Sequence, residues 1–193
     1  MEYSAVLNFF LLILGYAILG ASVKYGDASF DEKVFSQKKA LLLSPFVSLV
    51  WFWLMLSSPA SATILGSIVL AVLFSQKIDW KAFQLGFGII FLLSVFFFLN
   101  EWMHFLWIPL IGLTIAGFLD EVGNDFVDKT KNKNKIHSFV FLFFRHRLAL
   151  KIAVFLFAVF GFYGFEFFIY FLAWDLGYDG FGFVSEKFFQ KGL

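Results

Sequence analysis

The densest group of polar side chains in the chain is Asp120-Glu121-Val122-Gly123-Asn124-Asp125-Phe126-Val127-Asp128. At about 100° per residue on a helix, Asp120, Glu121, Asn124, Asp125 and Asp128 share one arc of roughly 140°, and Val122, Phe126 and Val127 point away. Carboxylates and an amide spaced one and two turns apart supply hard oxygen ligands. These suit Mg²⁺, Mn²⁺ or Ca²⁺ better than zinc. Like charges this close repel unless something neutralises them. The face is therefore either a divalent-cation site, with Mg²⁺ or Mn²⁺ as the expected cofactor, or a solvated helix end paired with nearby lysines. Asp27, Asp31 and Glu32 form a second acidic group. It would share a cation with Asn124, Asp125 or Asp128 if the two helices were neighbours, and otherwise balances Lys24 and Lys33 locally.

Arg145, His146, Arg147 and Lys151 form a cationic step. Guanidinium forks match phosphate geometry, so Arg145, Arg147 and Lys151 are candidate phosphate ligands for a lipid or a diphosphate. The alternative is an anchor to anionic headgroups at a membrane boundary. Glu166 lies inside a long apolar stretch, with Tyr163 and Tyr170 on the same helical face and His104 expected at similar depth. A carboxylate in hydrocarbon costs several kcal/mol. The cluster Glu166, His104, Tyr163 and Tyr170 thus reads as a proton or cation relay, or as a satisfied interhelical hydrogen-bond group.

Asn124-Asp125-Phe126-Val127-Asp128 is similar to the NDxxD core of the UbiA-type intramembrane prenyltransferases, and Asp175-Leu176-Gly177-Tyr178-Asp179 has the DxxxD spacing of that family's second motif. The resemblance covers about ten residues and implies Mg²⁺ held by acidic motifs against the diphosphate of an isoprenoid donor. Asn132 stands where the family carries a third Asp.

The elements that must position these groups follow from composition. The chain is 61% hydrophobic, 15% charged and 23% aromatic, with 32 Phe, and its mean hydropathy is +0.83. Soluble domains are about half apolar and about a quarter charged, so lipid is the main solvent here. A spanning helix needs roughly 17 to 25 apolar residues. Six segments qualify, at about 4–23, 40–57, 59–75, 83–99, 102–119 and 148–173, which predicts an all-α polytopic bundle forming a single integral membrane domain. Met1-Glu2-Tyr3 lacks the basic start of a secretory signal, so the first span is expected to be retained. Ser57-Ser58-Pro59 sets a tight turn between the second and third spans.

Twelve of the fifteen Lys and Arg fall within 24–39, 76–82 and 120–147, which are alternate loops. The positive-inside rule then places these loops in the cytoplasm of a cell-membrane protein, with the N-terminus, the C-terminus and a 174–193 tail on the outer face. The run Phe139 to Phe144, ended by Arg145, is too short to span and predicts an interfacial or re-entrant segment near 138–146.

The chain has no cysteine, which excludes disulfides, thiolate metal sites and cysteine nucleophiles. Glycine-rich phosphate loops and HExxH or GxSxG motifs are also absent from the sequence, and its basic residues form no nucleic-acid-binding stripe. The favoured function is a divalent-cation-dependent enzyme acting on a lipid or polyprenyl phosphate at the cytoplasmic leaflet. A cation or proton transporter centred on Glu166 and a structural or accessory membrane protein are the alternatives.

Overall fold

The computed structural model describes residues 2–129 and 138–191. Among these the chain is entirely helical, as expected, with α1 (Glu2–Phe30), α2 (Gln37–Leu56), α3 (Pro59–Phe74), α4 (Lys81–Leu99), α5 (Trp107–Lys129), α6 (Ser138–Arg145), α7 (Leu148–Val159) and α8 (Glu166–Lys191). Ala5–Phe30, Gln37–Leu56 and Lys81–Leu99 are long and apolar enough to cross a membrane, while Pro59–Phe74 and Leu148–Val159 are apolar but shorter. Large apolar side chains such as Phe10, Leu14, Phe46, Leu92, Ile111 and Phe160 lie exposed around the bundle. In water such a surface would be a liability; against lipid chains it is the ordinary exterior.

Local chemistry sets the turns. Pro59 opens α3, where its missing N–H is no loss, and the Ser58 side chain accepts a hydrogen bond from Ser61 N–H at 3.1 Å. The proposed tight turn at Ser57-Ser58-Pro59 therefore has its cap in place.

The continuous span expected over 148–173 is instead two helices. Gly161 adopts φ +76°. Its N–H donates to Ala158 C=O at 3.1 Å, and Phe162 N–H donates to Phe157 C=O at 3.0 Å. This is the paired C-terminal closure that a left-handed glycine permits, and it ends α7 after twelve residues. The chain reverses through 160–165 and starts α8. Similarly, the span expected from Trp102 begins at Trp107: Glu101 at φ 61° and Trp102 N–H, which donates to Phe97 C=O at 2.9 Å, close the end of α4, and Leu106 N–H then donates to the Thr63 hydroxyl at 2.8 Å.

α1 and α8 run parallel and in backbone contact. A Cβ on Gly20 would lie 1.9 Å from the Trp174 carbonyl oxygen, and one on Gly177 would lie 2.1 Å from that of Ala17. Only glycine at both positions lets the helices approach this closely. α4 packs on α2 through small residues, with Ala82 C=O accepting from the Ser44 hydroxyl at 2.6 Å and Gly86 facing Ser44 and Ser48. Tyr16, Leu54, Ile64, Leu65, Leu113, Val154 and Phe171 fill the centre.

Because α1 and α8 are parallel, the start of α1 and the end of α8 lie at opposite ends of the bundle. The segment after Trp174 returns alongside Asp27 and Glu32, where Tyr178 and Ser185 reach them. The segment expected as a tail across the bilayer from Asp27 thus lies at the same end of the bundle as Asp27 and Glu32. The added reversal at Gly161 changes the parity of the chain path.

Candidate functional site

The loops at one end of the bundle carry charge, and the turns at the other end, 57–58, 100–106 and 160–165, contain no Lys or Arg. At the charged end a cavity of about 1000 Å³ reaches into the bundle. Its mouth carries Asp27, Lys77, Glu121, Asp125, Arg147 and Asp175, and its deeper wall is apolar, with Val47, Trp51, Ile68, Phe87, Ile90 and Phe171. Asp125 and Arg147 therefore line one cavity, as do Asp27, Asp31 and Glu32 together with Asp120, Glu121 and Asn124.

The acidic face of α5 is neutralised residue by residue. Asp120 is almost fully buried; its Oδ1 accepts from Ala149 N–H at 3.0 Å and its Oδ2 from Leu150 N–H at 2.7 Å. Both oxygens thereby cap the first turn of α7, where the backbone donors have no partner within the helix and the dipole favours an anion. Glu121 and Asp125, one turn apart, converge on Lys77, whose ammonium lies 2.8 Å from Glu121 Oε2 and 2.7 Å from Asp125 Oδ1. It also donates to the Glu121 carbonyl at 3.2 Å. Gln76, held at φ 58°, turns the chain just before this lysine. Burial opposes the charge on Lys77, but hydrogen bonds to Asp125 and Glu121 outweigh it and raise its pKa.

Asn124 stands at the cavity wall between these groups, and the Asp128 side chain and Asn132 fall outside the described set. Among the described residues, no group of three or more His, Cys, Asp or Glu side chains is arranged to hold a metal ion.

Arg147 joins α6 to α7 at φ 49°. Its guanidinium lies 3.4 Å from Glu121 Oε1 and 5.4 Å from the centre of the Tyr178 ring. The Tyr178 hydroxyl donates to Asp27 Oδ2 at 2.5 Å. Burial disfavours the Arg147 charge, yet Tyr178, Glu121, Asp27 and Asp120 together hold its pKa above the ordinary value. Lys151 pairs with Asp175 at 2.9 Å and donates to the His146 carbonyl at 2.8 Å. Arg145 is exposed and sits over the Phe141 ring.

The first-loop acids are each engaged. Asp31 accepts from Trp80 Nε1 at 2.7 Å, and Glu32 pairs with Lys24 at 2.7 Å, which is the local balance with Lys24 weighed from the sequence. α6 lies against α5, where Phe144 fills the space that a side chain at Gly123 would need.

Of the Glu166 cluster, Tyr170 lies within electrostatic range of Glu166, and His104 and Tyr163 make their contacts elsewhere. Glu166 opens α8 and is exposed, its carboxylate folded back beside Gly164 at the favourable N-terminal end of the dipole. His104 is exposed in the 100–106 turn, and no hydrogen bond or ion pair joins it to Glu166 among the described residues. Tyr163 is buried and donates to the Val154 carbonyl at 3.0 Å, while Tyr170 packs against Phe9, Tyr16 and Phe167. The reason is again the break at Gly161, which moves Glu166 from mid-span to a helix start.

Sequence reasoning placed Asp175, Asp179 and Tyr178 at the wrong end and gave Lys77 no role beyond a basic loop. The pair Gly161 and Gly164, three residues apart and followed by Glu166, was the available signal for a helix stop and restart. No protein-family model matches the chain, and no curated protein or solved structure matches it.

Proposed function

We propose that the chain is a divalent-cation-dependent membrane enzyme that takes a lipid or polyprenyl phosphate into this cavity from the cytoplasmic leaflet. The observation that carries the reading is that Asp125 and Arg147 face one cavity whose depth is apolar. An amphiphile matches that division, with its chain among Val47, Ile68 and Phe87 and its headgroup at the mouth. Charge favours the cation. Eight carboxylates, Asp27, Asp31, Glu32, Asp79, Asp120, Glu121, Asp125 and Asp175, meet four cations, Lys24, Lys77, Arg147 and Lys151, around the cavity. A bare phosphate would enter a net negative field, whereas a phosphate carrying Mg²⁺ or Mn²⁺ would not.

Asp175 of the DxxxD segment lines the same cavity as Asp125 of the NDxxD segment, which strengthens the resemblance to the intramembrane prenyltransferases at the residues that carry it. In this reading Asn124 and Asp125 would hold the cation and Arg147 would bind phosphate oxygens, and the cation would supply neutralisation of the phosphate charge at the mouth. Concentration of Lys and Arg at this end supports a cytoplasmic mouth.

The test is binding of a long-chain lipid phosphate to the purified chain in uncharged detergent, with and without Mg²⁺. Mg²⁺-dependent binding that is lost in Asp125→Asn and weakened in Arg147→Gln is expected. Binding indifferent to Mg²⁺ and to both substitutions would remove the reading.

A further inference from the structure

Beside the large cavity lies a second recess of about 160 Å³. Asn124, Arg147, Lys151, Trp174, Asp175 and Tyr178 stand between the two, lining both, while Arg145, His146 and Asp179 face the recess alone. Its electrostatics are the reverse of the cavity's. Three permanent cations, Arg145, Arg147 and Lys151, meet two carboxylates, Asp175 and Asp179, in its wall; Lys151 is paired with Asp175 at 2.9 Å and Arg147 lies 3.4 Å from Glu121, which leaves Arg145 as the cation turned to the recess. The recess is too small for a lipid chain and large enough for one or two phosphate groups.

A membrane anchor would not need the backbone that positions these cations. Arg147 holds the left-handed conformation usually left to glycine, with φ 49°, which a side chain adopts only at a cost. Its guanidinium lies 5.4 Å from the centre of the Tyr178 ring, among the residues that divide the cavity from the recess. The turn immediately before Arg147 presents Arg145 and His146 to the same recess, and both are exposed.

We propose that this recess binds a small water-soluble oxyanion of the phosphate or diphosphate class through Arg145 and His146, the two basic side chains that face the recess and not the large cavity, separately from the amphiphile held at Arg147. A phosphate group reaches such a site either as a free ion or as a lipid headgroup, and the two sources differ in what must accompany them. A free ion needs only the recess, and it binds without Mg²⁺ and without access to the apolar cavity. Guanidinium and imidazole N–H donors bind it by charge-assisted hydrogen bonds.

The experiment uses the full chain in uncharged detergent with EDTA, titrated with inorganic phosphate and pyrophosphate at constant ionic strength, with chloride as the control ion. Saturable binding is expected, about tenfold weaker in the Arg145→Gln, His146→Gln double variant, and several-fold tighter in Asp179→Asn, which removes a repelling charge. Opposite signs in the two variants cannot both arise from misfolding. A third variant, Val47→Phe, fills the apolar cavity and is expected to leave phosphate binding unchanged while reducing lipid-phosphate uptake. Loss of the amphiphile reading therefore leaves this measurement intact. Three results would overturn the proposal: phosphate binding equal to that of chloride, insensitivity to both charge variants, or binding of phosphatidic acid in nanodiscs with none of free phosphate or pyrophosphate.

Discussion

The Tyr178 hydroxyl donates to Asp27 Oδ2 at 2.5 Å, tying α8 to α1 at the charged end of the bundle. The bond spans 151 residues of sequence, and it is possible only because Gly20 and Gly177 let the two helices run parallel in contact. It also fixes the chain's parity, because a C-terminal helix that ends beside Asp27 cannot also end beside the Ser58 turn.

That parity gives a direct expectation. A reporter active only in the cytoplasm should work when fused after Leu193 and within 129–135, and should fail when inserted in 100–106. Activity from the 100–106 insertion together with silence after Leu193 would mean that the bundle is inverted or that α8 does not return.

The approach of α1 to α8 should be intolerant of a single methyl group. Gly20→Ala places a Cβ against the Trp174 carbonyl, a backbone atom that cannot move aside, so a loss of about 1–3 kcal/mol or more is expected. Gly180→Ala, where nothing lies within 4 Å, should be neutral or slightly stabilising in the same helix. Thermal unfolding in detergent compares the two, and equal midpoints would contradict the close packing.

Asp120 and Asp125 should separate by role. Asp120→Ala removes both acceptors of the α7 cap and should cost about 2 kcal/mol, and Asp120→Asn, which keeps one acceptor, should cost less. Any stabilisation by Mg²⁺ should survive in Asp120→Asn and disappear in Asp125→Asn. The reverse pattern in melting temperature against millimolar Mg²⁺ would make Asp120 the ligand.

Lys77 should be the counter-ion of the α5 face. In Lys77→Met, the Glu121 and Asp125 carboxylates lose their shared partner, and a loss of about 1–3 kcal/mol is expected, with partial recovery in Lys77→Met, Glu121→Gln. The raised pKa of Lys77 sets the sign of its pH dependence. Its contribution is complete below the ordinary lysine value of 10.5 and is lost as pH rises beyond that value through the higher folded one. Melting curves of the wild type and of Lys77→Met should therefore converge above pH 10.5, and parallel curves would show that the ammonium is not what holds the two carboxylates.

The sequence alone determined the solvent of this chain, its helical class and which residues are charged neighbours along one helix, since composition and the 3.6-residue period act locally. It determined the tight turn at Ser57-Ser58-Pro59 for the same reason, and the arc shared by Asp120, Glu121, Asn124 and Asp125. What it could not decide was pairing across distance. Glu121 and Asp125 meet Lys77 some 44 residues and more away, and Asp120 meets the α7 backbone 29 residues on, so a face that reads as a bare ligand set is in the fold already part cap and part ion pair. Hydropathy also passed over Gly161, because one glycine scarcely changes a window of some twenty residues. Its left-handed conformation nevertheless ends a helix, reverses the chain and carries Asp175, Tyr178 and Asp179 to the end where Arg147 stands. Tertiary structure alone decided that location, through one backbone angle and two glycine contacts whose effects hydropathy does not measure.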